Sequence, residues 1–381
     1  MFNKYYLNIA NRNRPSFDQV NWWNLSPHIK LQVTPFPSEI KNYGNFTTIK
    51  RLKQIKNKER VSALIKGMKK EMTGKKYFKI TFPIYLKNKE YAQLYALMIS
   101  EGSYKTEFSL NVPEKEFHFL FKKTIKKLIS EDAGNLIKKS YNHGILRSRA
   151  PAVIRKVVPL PPKIPTIIYK NKELSREYLK VAFEAEGSPI LDQTQHKRYI
   201  KLTRYTNITH FVAQNISDKR IYLGRLKKKY PSMLKTIETQ PPPILLDEHL
   251  LLKNHFNIGS KLQLEAIKKN KTDLRCGKIS ARWVLLIYAN NIDKFIKEIN
   301  FISSKKRKKT KLMKKIKGNN PQYYALDLIK TISNKNGYFY RSIFDKEMKK
   351  LGYKSPSAYL WRYCKKGLIK NVRTGYYQII S

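Results

Sequence analysis

Acidic residues are scarce in this chain: 27 Asp and Glu stand against 78 Lys and Arg in 381 residues, a formal charge of +51. Such an excess repels itself in a compact chain unless a polyanion neutralises it, so nucleic acid is the expected partner. Cysteine is scarcer still. Cys276 and Cys364 are the only two, too far apart for a zinc pair and too few for a disulfide framework. Long apolar runs are missing as well. The longest candidate, Trp283 to Ala289, falls well short of the ~18–20 residues of a membrane-spanning helix. The opening MFNKYYLNIANRN lacks a signal-peptide core. No basic segment carries the broad apolar face of an interfacial helix, which excludes the membrane as the expected polyanion. These absences point to a cytoplasmic, nucleic-acid-associated protein of two or three domains.

Two stretches look like copies of one another. LYALMISEG runs from Leu94 to Gly102 and LKVAFEAEG from Leu179 to Gly187, each followed by serine, Ser103 and Ser188. Both read as mostly apolar helices stopping on Glu-Gly-Ser, with Glu101 and Glu186 in the last turn. The glycine is expected to end each helix in the left-handed conformation. Negative charge at a helix C-terminus costs about 0.3–1 kcal/mol against the macrodipole. Paying that twice in matching helices suggests that the carboxylates serve a cation. Ala92, Ala96 and Ser100 in one copy, and Val181, Ala182 and Ala185 in the other, form small-residue faces on which two helices can approach closely. Lys-Asn-Lys-Glu also recurs, at Lys87–Glu90 and Lys170–Glu173, with 11 and 13 residues respectively from its glutamate to the motif glutamate.

The paired motifs resemble the LAGLIDADG homing endonucleases in their two-motif, single-chain form, over roughly residues 77–317. The resemblance implies an α+β fold of two pseudo-symmetric αββαββα halves whose motif helices form the interface between them. It implies that Glu101 and Glu186 bind divalent metal, Mg²⁺, at a DNA cleavage centre. It also implies that Arg204, from Leu-Thr-Arg at a strand end, lies at that centre, with Asn111 or nothing as its first-half counterpart. Two motifs in one chain make a monomer sufficient.

In chain order, residues 1–76 form a basic region expected to be partly helical, since Val61, Leu64, Ile65, Met68 and Met72 follow the 3.6-residue period. The first half is assigned to residues 77–143: a strand in YFKITFPIYL, the first motif helix, a tight hairpin after Gly102 and a helix over about 113–129. Residues 144–170 hold five prolines and read as a linker. The second half, 171–317, continues in two strands bearing Arg198, Lys201 and Arg204. By alternation Arg198 and Arg204 share one face and Lys201 takes the other. The family's strands enter the DNA major groove, so all three are candidate contacts. LLDEHLLLKNHFNIGSKLQLEAI reads as a helix stopping at Gly259 and then a strand; KISARWVLLIYA is another strand, and a helix follows it. His249 and His255 do not share a helix face and are not expected to ligate metal. Residues 304–317 carry nine Lys or Arg and no acid, and Lys305, Lys306 and Arg307 are expected on phosphates.

Residues 320–381 read as a winged helix-turn-helix domain. On its third helix Tyr359, Arg362, Tyr363 and Lys366 share a face expected to read a groove, with Ala358, Trp361 and Leu368 towards the core and Arg373 in the wing. The expected function is site-specific cleavage of double-stranded DNA. The alternatives are a non-cleaving DNA-binding regulator and an RNA-splicing maturase, for which RNA replaces DNA as partner.

Overall fold

The computed structural model describes residues 18–20, 30–33, 47–48, 61–66, 77–82, 84–104, 107–152, 154–192, 197–209, 223, 228–269, 279–315, 321–350 and 355–380. The architecture is α+β. Contacts divide the chain into two compact units. One comprises residues 1–187, 202–257 and 261–285; the other comprises 188–201, 258–260 and 286–381. Among the described residues no helix is long and apolar enough to cross a membrane.

The N-terminal region corrects the helical reading. Val61–Lys66 is a strand, paired antiparallel with Lys30–Val33 on one side and Tyr77–Phe82 on the other, with Thr47–Thr48 at the sheet edge. Val61, Ala63 and Ile65 satisfy a two-residue period as well as Val61, Leu64 and Ile65 satisfy a helical one. Backbone pairing with the β-branched and aromatic run YFKITF decides between them. The expected boundary at residue 76 therefore falls between two paired strands. Trp22 and Trp23 lie outside the described residues.

Two helices dominate the first unit. Lys89–Glu101 and Lys172–Glu186 each start on an asparagine whose side-chain oxygen accepts a backbone N–H, Asn88 from Tyr91 and Asn171 from Leu174. Glu90 and Glu173 occupy their first turns. The repeated Lys-Asn-Lys-Glu is thus a repeated N-cap, worth about 1 kcal/mol per helix, and its unequal spacing reflects helices of 13 and 15 residues.

The first motif helix is followed by a four-stranded antiparallel sheet in the order Gly102–Ser103, Phe108–Asn111, Ile145–Ala150, Lys138–Asn142. Helix Lys115–Leu128 lies in sequence between its two hairpins. The strand Ile145–Ala150 corrects the linker assignment, which had opened at Gly144. His143 and Gly144 both take positive φ, 48° and 76°, as a two-residue hairpin turn demands. The prolines begin only past that strand. There short helices, Ile154–Val157 and Thr166–Tyr169, interrupt the connection. The Tyr91 and Tyr95 hydroxyls donate to the Pro159 and Pro161 carbonyls, and the Asp247 carboxylate accepts from the Ile164 N–H. The connection is therefore tied down rather than free.

A second four-stranded sheet has the order Gly187–Asp192, Lys197–Asn207, Ile279–Tyr288, Lys261–Lys269. Helix Pro243–Phe256 ends at Asn257 in the left-handed conformation, φ 51°, not at Gly259.

In the second unit, Ile292–Glu298 and the basic helix Ser304–Lys315 precede three further helices, Pro321–Ile332, Arg341–Lys350 and Ser357–Lys365. A three-stranded sheet accompanies them, ordered Tyr338–Tyr340, Tyr376–Ile379, Ile369–Arg373. Ala325, Ile329, Phe339, Phe344, Leu360 and Ile369 are central to its core.

Candidate metal and nucleic-acid site

The two motif helices pack along their length through the small-residue faces: Ala92, Ala96, Val181 and Ala182 are all buried. The Tyr95 and Tyr178 rings meet with centroids 5.8 Å apart, and the Gln93 amide donates to Glu177 across the pair. Both helices end on glycine, but not in the conformation expected. Gly102 and Gly187 have φ of −88° and −91°, extended values open to any residue. A Cβ at Gly102 would lie 2.7 Å from the Met98 carbonyl oxygen, and one at Gly187 would lie 2.4 Å from that of Phe183. Glycine is required by close approach to the preceding turn, not by handedness.

Arg204 joins the two helix ends. Its Nη1 donates to Ser100 Oγ at 3.0 Å and stands 3.8 Å from Glu186 Oε1. Ser100 adjoins Glu101, so the acidic end of each helix meets one guanidinium. Arg204 is buried, and its charge is balanced by Glu248, which is 0% exposed. Nη2 and Nε of Arg204 reach Glu248 Oε1 and Oε2 at 2.5 and 3.3 Å, and the Tyr178 hydroxyl donates to Oε1 at 2.8 Å. Burial opposes the arginine's charge. The Glu248 carboxylate, with smaller help from Glu186, outweighs it and raises the Arg204 pKa above its ordinary value. Burial, reinforced by Glu248, raises that of the Tyr178 hydroxyl, which stays protonated as a donor.

Glu101 and Glu186 are each half-buried. Among the described residues no group of three or more His, Cys, Asp or Glu gathers as a metal site. Two carboxylates nonetheless suit a hard cation such as Mg²⁺, which commonly takes one or two of them and fills its shell with water and phosphate oxygens. His255 instead meets the Tyr169 carbonyl through Nε2, and burial, then Lys253, lowers the pKa of His249.

The strand faces are corrected by burial. Ile200, Leu202 and Arg204 are buried, so their parity faces the core. Arg198 shares it and donates to the Met313 carbonyl at 2.7 Å. The open parity holds Tyr199, Lys201, Thr203, Tyr205 and Asn207, with Tyr205 and Asn207 exposed. Of the three strand candidates, only Lys201 lies on the open face. Arg204 can lie on the core side because Glu248 pairs with it there.

The first sheet presents arginine outward. Arg147 stands opposite Asn111 and Arg149 opposite Ser109, with Ser140 and Lys138 beyond them on the same face. Glu107 grips both arginines. Burial works to raise the Glu107 carboxyl, but hydrogen bonds from Arg147 and Ser109 and the charges of Arg147 and Arg149 pull its pKa below the ordinary value. Arg282 and Glu265 form a similar pair, at 2.8 Å, between strands of the second sheet.

On the basic helix Lys305 and Arg307 are exposed, whereas Lys306 is half-buried with Nζ 5.6 Å from the Phe301 ring centroid. In the C-terminal region the expected face of helix Ser357–Lys365 is overturned. Tyr359 and Tyr363 are only 5% and 3% exposed, and Trp361 is 65% exposed. Tyrosine's apolar ring joins the core with Leu360, while Trp361 lies under Lys365, whose Nζ is 5.3 Å from its ring centroid. Arg362 is half-buried over the Tyr359 ring, Lys366 and Arg373 are exposed, and Leu368 packs against the core. Cys364 is half-buried; Cys276 lies outside the described residues.

Glu248 is the residue that sequence reading passed over. Its signal was an adjacent Asp-Glu pair inside an otherwise apolar helix, which can be buried only if both acids find partners.

No family model matches the chain, and no curated protein matches it. Similar solved structures include the N-terminal LAGLIDADG domain of DUF199/WhiA, at 13% identity and TM-score 0.32 over 58% of this chain and 88% of that one. Full-length DUF199/WhiA from Thermatoga maritima is similar at 12% identity and TM-score 0.34, over 64% and 66%. I-DmoI in complex with DNA and Ca is similar at 15% identity and TM-score 0.30, over 55% and 88%.

Proposed function

We propose that the chain is a divalent-metal-dependent endonuclease acting on double-stranded DNA, of the LAGLIDADG homing-endonuclease kind. The observation that carries this reading is the meeting of two acid-terminated helices at one guanidinium, Nη1 of Arg204, 3.0 Å from Ser100 and 3.8 Å from Glu186. Glu101 and Glu186 hold the cation, read as Mg²⁺, which when bound supplies positive charge to the scissile phosphate and acidifies water. Arg204, kept protonated by Glu248, fixes Ser100 and Glu186 and sets positive charge where the leaving oxygen develops negative charge. The repeated caps, paired helices and two four-stranded sheets support two pseudo-symmetric halves.

Duplex DNA in this reading lies on the open sheet faces, through Lys201 in one half and Lys138, Arg147 and Arg149 in the other. The basic helix, through Lys305, Lys306 and Arg307, takes phosphates. The order helix, strand, helix, helix, strand, strand supports a winged helix-turn-helix at residues 321–380, with Arg362, Lys366 and Arg373 towards DNA. A monomer carries the whole site.

One observation favours the non-cleaving regulator as second reading: a carboxylate 3.8 Å from a buried guanidinium is less available to a metal. Selection from random duplex DNA in Ca²⁺, followed by Mg²⁺, separates the two. Double-strand cuts by the parent that vanish in Glu101→Gln and Glu186→Gln are expected. Enrichment of a duplex site without cleavage in Mg²⁺ or Mn²⁺ establishes the regulator instead, and enrichment of structured RNA alone establishes the maturase.

A further inference from the structure

The three-stranded sheet near the C-terminus carries aromatic rings on both faces. On its inner face Phe339 stacks with Tyr377 at 5.6 Å and joins Ile369 and Ile379 in the core. That core is complete without the other side. Register puts Tyr340 opposite Tyr376, Tyr338 opposite Gln378, and Lys370 opposite Gln378, so these five residues share the outer face. There the Tyr376 ring lies parallel to Tyr338, with centroids 5.4 Å apart and planes 8° from parallel. Tyr340 meets Tyr376 at 4.8 Å, tilted by 48°, and the Arg373 guanidinium sits 5.1 Å from the Tyr376 centroid. Tyr340 is 49% exposed, and Lys370 and Arg373 are exposed beside it.

Three tyrosines on the solvent side of two adjacent strands do nothing for the core. Their column of π-faces, flanked by cations and with no carboxylate among the described outer-face residues of the sheet, matches a ligand that alternates flat rings with negative charge. Residues 321–381 as a whole hold 12 Lys and Arg against 3 Asp and Glu, so the ligand's charge is negative. Duplex DNA offers phosphates but no base faces, since each base is covered by its neighbours. An unpaired strand offers both.

We propose that the outer face of this sheet binds single-stranded DNA, bases extending the Tyr338–Tyr376–Tyr340 column and phosphates meeting Lys370 and Arg373. The choice of DNA over RNA rests on the function proposed above; the stacking surface does not.

The test is fluorescence anisotropy on the full chain with labelled oligo(dT), oligo(rU) of the same length and a duplex. Salt of about 0.3 M suppresses the generic attraction of a cationic chain for phosphate. Tyr340→Ala is expected to weaken oligo(dT) binding about tenfold, the cost of one lost base–aromatic stack, and to leave duplex binding unchanged. Tyr340→Phe, which keeps the ring, is expected to retain parental affinity, and both variants are checked for parental melting. Unchanged oligo(dT) affinity in Tyr340→Ala overturns the proposal, as does an equal loss on the duplex. Tighter binding to oligo(rU) than to oligo(dT) overturns the choice of DNA. A parent that binds oligo(dT) through Tyr340 yet cuts no duplex refutes the nuclease and leaves this surface standing.

Discussion

Helix Lys115–Leu128 is tied to the first four-stranded sheet through a histidine. His118 is buried between Ser148 Oγ, 2.7 Å from Nδ1, and the Val112 carbonyl, 2.8 Å from Nε2. The carbonyl accepts only, so Nε2 donates to it, and Nδ1 pairs with the Ser148 hydroxyl. The second half buries charge instead, Arg204 against Glu248, with Tyr178 donating to the same carboxylate. Both arrangements satisfy their polar atoms, but they differ in what they leave available. The histidine contact is closed on itself. The ion pair leaves Nη1 of Arg204 to reach both motif-helix ends. A buried ion pair is a poor device for stability, because desolvation consumes most of its Coulombic gain. The reach of Arg204 to both helix ends argues for a role in holding them.

The comparison breaks most visibly at Glu248. Replacing it by leucine strands the Arg204 charge in the interior and is expected to cost about 3–5 kcal/mol in urea unfolding. Adding Arg204→Met should recover most of that loss while abolishing cleavage. A double variant as unstable as the single would make the pair a stability device after all. His118→Leu should cost about 1–3 kcal/mol by leaving Ser148 and the Val112 carbonyl without their partner, with cleavage retained. That separation of stability from activity is what the self-contained histidine contact predicts.

The smaller effects test where the halves agree. Asn88→Ala and Asn171→Ala should each cost about 1 kcal/mol by thermal melting through the lost cap, with Asn88→Ala the larger because its amide also donates to the Tyr85 carbonyl. No cost in either variant would show that the echo is a coincidence of sequence. At acid pH the first half has its own limb. The folded-state pKa of Glu107 lies below its unfolded value, so its stabilising contribution is full above the unfolded value. It is lost as pH falls through the folded one. Glu107→Gln should flatten the decline in melting temperature below about pH 4.

Much of the frame was legible in the sequence because local chemistry decided it. The Glu-Gly-Ser endings and the repeated Lys-Asn-Lys-Glu both lie within one turn of the helix ends they mark. What failed was whatever depended on a partner distant in the chain. Val61–Lys66 became a strand because Lys30–Val33 and Tyr77–Phe82 pair with it. Arg204 went inward because Glu248, 44 residues away, compensates it. Tyr359 and Tyr363 went inward because tyrosine buries its ring readily, which a division into polar and apolar residues overlooks. The strand Ile145–Ala150 was the avoidable miss: Asn-His-Gly before alternating residues is a hairpin turn that the nearby prolines obscured.

The central claim is that Glu101 and Glu186 act as one cation site. Titration calorimetry with Mn²⁺ on the parent, Glu101→Gln and Glu186→Gln tests it without requiring a DNA substrate. The account predicts saturable binding by the parent and loss of most of that affinity in each single variant. Parental affinity in either variant would contradict it.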